Sequence, residues 1–196
     1  VLFPRYQVCG RYPGGRGSVA LNSITAVKTA LKMIEKRGLK PDMDRFAVVG
    51  HSAGGLGAAN MAALAGNQGL PAPKAVMCVQ PGREFAPDGR RLGTIEDLSA
   101  VPEHVLLLVV TGDIDEVVGT EDAEKIYSRT SRIPLKNKDL VTLVSDNYGD
   151  PVLAADHSAP FAVTKAFKLI PPVKDDIKEE THSETTEAGR GKTFTF

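Results

Sequence analysis

A chain of 196 residues suits one domain with a sizeable core. Lys plus Arg and Asp plus Glu stand at 24 each, so no net charge directs the chain to nucleic acid or an anionic membrane, and no run approaches the roughly 18 apolar residues of a transmembrane helix. Two cysteines, Cys9 and Cys78, exclude a disulfide framework; each lies in an apolar stretch, where a free thiol packs as a small hydrophobe.

The chain opens on Val1-Leu2-Phe3-Pro4, apolar from the first residue, with no Met, cap or polar lead-in. Residues 1–6 read as the inside of a strand, so earlier strands are expected to be missing, and this end carries no signal for localisation. RYPGGRGS (residues 11–18) is a Gly-rich loop without the Gly-Lys-Ser/Thr ending of a phosphate loop. Val19, Ile24, Val27, Leu31 and Ile34 recur at helical spacing and predict a helix over residues 19–37, ended by Gly38 and followed by Pro41. A short buried strand is predicted at 46–49, an Ala-rich helix at 55–65 and a strand at 75–79. VLLLVV at 105–110 is a continuous apolar run, as a central parallel strand covered on both faces requires. A helix at 121–128, a strand at 140–144 and a helix at 160–169 complete the alternation. The pattern predicts an α/β fold, a mostly parallel sheet with helices on both faces, over residues 1–170. From Pro171 the chain is charged and loses its apolar period, so 171–196 reads as a polar, disordered tail.

Gly50-His51-Ser52-Ala53-Gly54 is a G-x-S-x-G sequence lying between the strand at 46–49 and the helix at 55–65, the context that motif needs. The turn is tight and strains the serine backbone, so Gly50 and Gly54 provide room on either side. The outcome is a hydroxyl raised above the sheet at a helix N-terminus, with the Ala53 N–H aimed at an oxyanion formed on Ser52. A serine hydroxyl needs a base. Downstream, Asp113 and Asp115 follow the central strand and His157 follows the last one, the chain order Ser…Asp…His, and strand C-termini gather at one rim of a parallel sheet. The residues leave both carboxylates open as the acid. Among the other histidines, His51 sits within the elbow and is expected to point away from the serine, His104 precedes the central strand at the wrong end of the sheet, and His182 is in the tail. Asp156 reads as a loop carboxylate facing solvent. Arg83, Glu84 and Phe85 follow a strand C-terminus and are candidates for lining a pocket. No cluster has metal-ligand spacing, and neither a metal nor a cofactor is expected.

VVGHSAGG, VVTGDIDEVVG and DHSAP together resemble the nucleophile, acid and histidine segments of the α/β-hydrolase superfamily, serine esterase type. The chain is similar to dienelactone-hydrolase-like, chlorophyllase-like and polyester-hydrolase-like members, in order over roughly residues 1–170. The family's acid setting, Gly-x-x-Asp-x-Val-Val, falls on Gly112 to Val118 and implies Asp115 rather than Asp113. The resemblance implies a carboxylic ester or thioester hydrolase acting on a small-molecule ester through an acyl-enzyme, with Ser52 as nucleophile, His157 as base, Asp115 as acid and no cofactor. VLFPRYQ resembles the family's fourth strand, so the segment that carries the second oxyanion donor in the family would precede Val1. The family often inserts a cap after its sixth strand; the matching stretch here, residues 81–102, is short, which implies an open site without a large lid. Peptidase, lactonase or acyltransferase chemistry can use the same three residues, and a hydrolase-fold binding module is the reading from another class.

Overall fold

A computed structural model of the chain describes residues 1–3, 19–146, 154–160, 183–185 and 192–195. The helical period at the start folds as α1 (Val19–Lys36), which buries Ala20, Ser23, Ile24 and Val27. Its end is a Schellman closure around Gly38: the Gly38 N–H donates to the Glu35 carbonyl and the Leu39 N–H to that of Ile34. The alternation that follows is β1 (Ala47–Ser52), α2 (Ala53–Leu64), β2 (Ala75–Pro81), β3 (Leu106–Gly112), α3 (Glu121–Arg129) and β4 (Lys138–Val144). Each falls on the element the sequence predicts, with β1, β2 and β3 extended by a few residues at their C-terminal ends. Those extra residues belong to the rim that carries the candidate site.

β1 to β4 are parallel and stand side by side in chain order. Register explains the burial pattern. Val76 and Cys78 of β2 pair with Leu107 and Val109 of β3, and these four turn to the same side. There they meet Leu56, Ala58, Ala59, Ala62 and Ala63 of α2 and Ala123 and Ile126 of α3 in the main core. The Ala-rich face of α2 lets the helix lie close to the sheet. α1 packs outside it, through Ile24 and Val27 against Met61, Ala65 and Leu70. On the opposite side of the sheet Val79, Val110 and Val141 are buried, with Met77, Leu108 and Leu143 against them. Among the described residues α2 and α3 share one face; the helix predicted at 160–169 lies outside them beyond Ala159 and Pro160, which carry helical backbone.

Two polar residues tie the layers. Buried Asn60 of α2 donates to the Thr94 carbonyl (2.6 Å) and accepts from the Glu96 N–H (3.0 Å), which fastens the β2–β3 connection to the helix. Lys138, at the start of β4, donates to the Tyr127 and Thr130 carbonyls at 2.9 and 3.1 Å and closes the C-terminus of α3. Burial pushes its ammonium below the ordinary lysine range.

Two segments of the sequence reading fall largely outside the described residues. The polar tail contributes β5 (Ser183–Thr185) and β6 (Lys192–Thr195) to the sheet; β6 runs parallel to β4, pairing Val141 to Val144 with Lys192 to Thr195, and β5 is antiparallel to β6. KTFT has the alternation and the β-branched and aromatic residues of a strand, in a segment too short for its period to stand out among charges. The strand predicted at residues 1–6 is absent over 1–3, and its remainder lies outside the described residues, as does the loop at 11–18.

Candidate active site

The passage from β1 to α2 is built on a backbone that only its surroundings can hold. Ser52 has φ 55° and ψ −127°, a left-handed value for a residue with a side chain. Such a backbone costs on the order of 1–3 kcal/mol and persists where neighbours over-determine it. Here the Ser52 carbonyl accepts the Gly82 N–H at 2.7 Å. On the other side a Cβ at position 50 would collide with the Gly54 carbonyl, so no residue but glycine fits. Ser52 stands at the N-cap of α2, yet its side chain makes no capping bond. The hydroxyl is therefore not consumed by the helix. The Ala53 N–H lies in the first turn of α2, among the donors that a helix leaves without an internal partner.

β3 ends at Gly112, and the two carboxylates after it part company. Asp115 is buried; its Oδ1 accepts the N–H groups of Val117 and Val118, both at 3.0 Å. Its Oδ2 lies 2.9 Å from His157 Nδ1. A carboxylate only accepts, so the proton of the neutral imidazole sits on Nδ1 and Nε2 keeps its lone pair. Asp113 instead accepts from Ser145, at 3.1 Å from the N–H and 2.7 Å from the hydroxyl, and Ser145 Oγ accepts the Ala155 N–H at 2.9 Å. Asp113 is a brace between the ends of β3 and β4 and the histidine loop. Of the two acids the sequence leaves open, the geometry brings Asp115 to His157.

The loop carrying His157 rests on the rim. A Cβ at Gly112 would collide with the Ala155 carbonyl, so the loop crosses β3 with no room to spare. The Asp156 carboxylate accepts the Ser158 hydroxyl and N–H, both at 2.7 Å; these bonds hold it below the usual carboxylate range, and His157 adds to the effect. Among the described residues no hydrogen bond links Ser52 to His157. Such bonds are often long before a substrate is bound.

The remaining candidates separate clearly. His104 is exposed in the turn before β3, and His182 lies outside the described residues. Glu84 is engaged structurally: its N–H donates to the buried Asp122 carboxylate and its side chain meets Arg91 and the Ile95 N–H. Arg83 reaches the Glu116 carbonyl at 3.4 Å, beside the acid loop. Phe85 is exposed and pairs with Arg91 in a small hairpin. Cys78 is buried in the main core and burial pushes its thiol up to about 12, whereas Cys9 lies outside the described residues. Among the described residues, no group of three or more His, Cys, Asp and Glu is placed to hold a metal, and no helix is long and apolar enough to cross a membrane.

Sequence reasoning missed the contacts of two residues. His51 does not stand idle: its ring centroid lies 4.7 Å from that of His157, and its Nε2 is 3.0 Å from the His157 carbonyl. Gln80, fully buried, donates from Nε2 to the Asp156 carbonyl at 2.5 Å. The available signal was a lone amide closing the apolar run MCVQPG.

A profile of the alpha/beta hydrolase fold matches residues 18–107, which takes in α1, the Ser52 turn and β2 and stops inside β3, before Asp115 and His157. No curated protein matches the chain. Among solved structures it is similar to Est1E from Butyrivibrio proteoclasticus (22% identity, 76% of this chain and 69% of that one, TM-score 0.45). It is also similar to carboxyl esterase 2 from Tuber melanosporum (18%, 64% and 50%, 0.47) and to the esterase domain of a Rhodothermus marinus protein (20%, 74% and 66%, 0.42). The chain spans about half the length of several such structures.

Proposed function

We propose, from the match of residues 18–107 to the alpha/beta hydrolase fold and from the geometry around His157, that this chain carries the catalytic residues of a serine hydrolase for small carboxylic esters or thioesters. The observation that carries this reading is the 2.9 Å contact between a buried Asp115 and His157, on the same rim as a serine whose strained turn leaves its hydroxyl uncapped. His157 Nε2 takes the Ser52 proton as Oγ adds to the substrate carbonyl. Asp115 holds the imidazole in the tautomer that accepts that proton and stabilises the cation that results. The Ala53 N–H donates to the oxyanion, aided by the positive end of α2. The imidazolium then protonates the leaving alcohol or thiol as the C–O or C–S bond breaks, which leaves an acyl group on Ser52. Water, deprotonated by His157, attacks that acyl group; the carboxylic acid departs and Ser52 regains its proton. No cofactor enters either half.

The β2–β3 connection supports an open site. It folds back as a hairpin through the Phe85–Arg91 bridge and is fastened to α2 by Asn60. This leaves little free chain there for a lid. Short, loosely shaped esters are therefore the expected substrates, hydrolysed without a rate jump when the substrate passes its solubility limit; such a jump would argue for a mobile cover. The direct test is hydrolysis of p-nitrophenyl acetate by the native protein and by Ser52→Ala. The variant is expected to fold and to lose several orders of magnitude in kcat. A variant retaining more than about a tenth of the rate would remove Ser52 as the nucleophile.

A further inference from the structure

β1 and β2 lose register at one place. His51 pairs with Val79 and Ser52 with Pro81, so Gln80 is left over in a bulge, at φ 42° and with its side chain fully buried. A buried amide on a left-handed backbone is a double cost, and bulges re-aim a side chain next to functional sites. Gln80 spends its amide on the loop that carries His157. Its Nε2 donates to the Asp156 carbonyl, which fixes the amide's orientation and sets Oε1 against His51 Nε2 at 3.3 Å. His51 Nε2 faces a second acceptor, the His157 carbonyl, at 3.0 Å. Two acceptors meet one ring nitrogen, so Nε2 carries the proton of neutral His51 and donates to both.

The structure assigns to His51 and Gln80 the role of positioning residues that hold the His157 loop by two consecutive carbonyls and so aim the imidazole at Ser52. This rests on the Ser52–His157–Asp115 reading above. Asp115 holds one atom of the imidazole, Nδ1, and that contact alone leaves the ring's backbone support unspecified. His51 and Gln80 supply that support from the two strands that also shape the Ser52 turn. The elbow and the base are thereby referred to the same strand ends, though residues 51 and 157 are 106 positions apart. A misplacement of about 1 Å at a reacting group can cost 10²-fold in rate.

Four variants of the full protein test this: His51→Leu, which removes the donor; His51→Gln, whose Nε2 restores one; Gln80→Met, which keeps volume without the amide; and Ser52→Ala as control. The readouts are kcat and KM for p-nitrophenyl acetate, the second-order rate of fluorophosphonate labelling and the melting temperature. His51→Leu and Gln80→Met are expected to lower kcat and the labelling rate by roughly ten- to a hundredfold with little change in KM. His51→Gln is expected to recover most of the loss. Native labelling rates in His51→Leu, or a loss that His51→Gln does not repair, overturn the positioning role, and His51→Leu decides the matter even where Gln80→Met does not fold. Ser52→Ala separates the two levels. Labelling lost there, with His51→Leu at the native rate, sinks the positioning role alone; labelling retained there sinks the nucleophile and the positioning role together.

Discussion

Asp113 and Asp115 stand two residues apart in one turn, and their fates differ through which donors each one meets. Asp115 is fixed by the Val117 and Val118 N–H groups and offers its remaining oxygen to His157, while Asp113 is taken up by Ser145. Asp115→Asn is expected to lower kcat by about 10⁴, the size of the effect in serine proteases, because an amide there favours the wrong histidine tautomer. Asp113→Asn keeps an oxygen for Ser145 and is expected to stay within about tenfold of native while melting slightly lower. Side-by-side kinetics and melting of the two variants check this; the reverse order would exchange their roles. Spacing alone could not separate them in the sequence, since each follows the central strand closely enough to reach the rim. Only the family's Gly-x-x-Asp-x-Val-Val pattern favoured one. Gln80 was harder still: the bulge that turns it inward is a mismatch between two strands, and nothing in a single strand's pattern records it.

At the scale of elements, periodicity located every helix and strand that makes the candidate site. The apolar runs at β2 and β3 and the small-residue pattern of α2 answer to packing, which the sequence states directly. The tail shows where this stops. β6 exists by pairing with the edge of β4, a relation between distant segments, and four residues give little period to detect. The glycines at the strand ends carry the tightest tolerances. A Cβ at Gly112 would strike the Ala155 carbonyl and come within 3.0 Å of Gln80 Nε2. Gly112→Ala is therefore expected to displace the histidine loop and reduce turnover by at least tenfold while α1, α2 and the core remain folded. Circular dichroism and esterase rate measured together test it; native turnover would mean that the loop has room the structure does not show.

For the whole molecule, the main core joins sheet, α2 and α3 around Cys78, a fully buried thiol. Its burial raises the thiol from 9.0 to about 12, so ionisation favours unfolding: this contribution to stability is complete below pH 9 and is lost as pH rises through 12. Native protein at pH 8 is expected to resist alkylation at Cys78, read by peptide mapping so that Cys9 does not interfere, and to react on global unfolding. Rapid native alkylation would contradict the core described here. The same architecture brings three chain-distant segments to one rim, and the central claim is that this rim holds a nucleophilic serine. The most direct measurement is mapping the adduct formed by a fluorophosphonate probe on the full protein. A single adduct on Ser52 is expected, absent in Ser52→Ala and formed far more slowly in His157→Ala; an adduct on another residue, or none on the native protein, would contradict it.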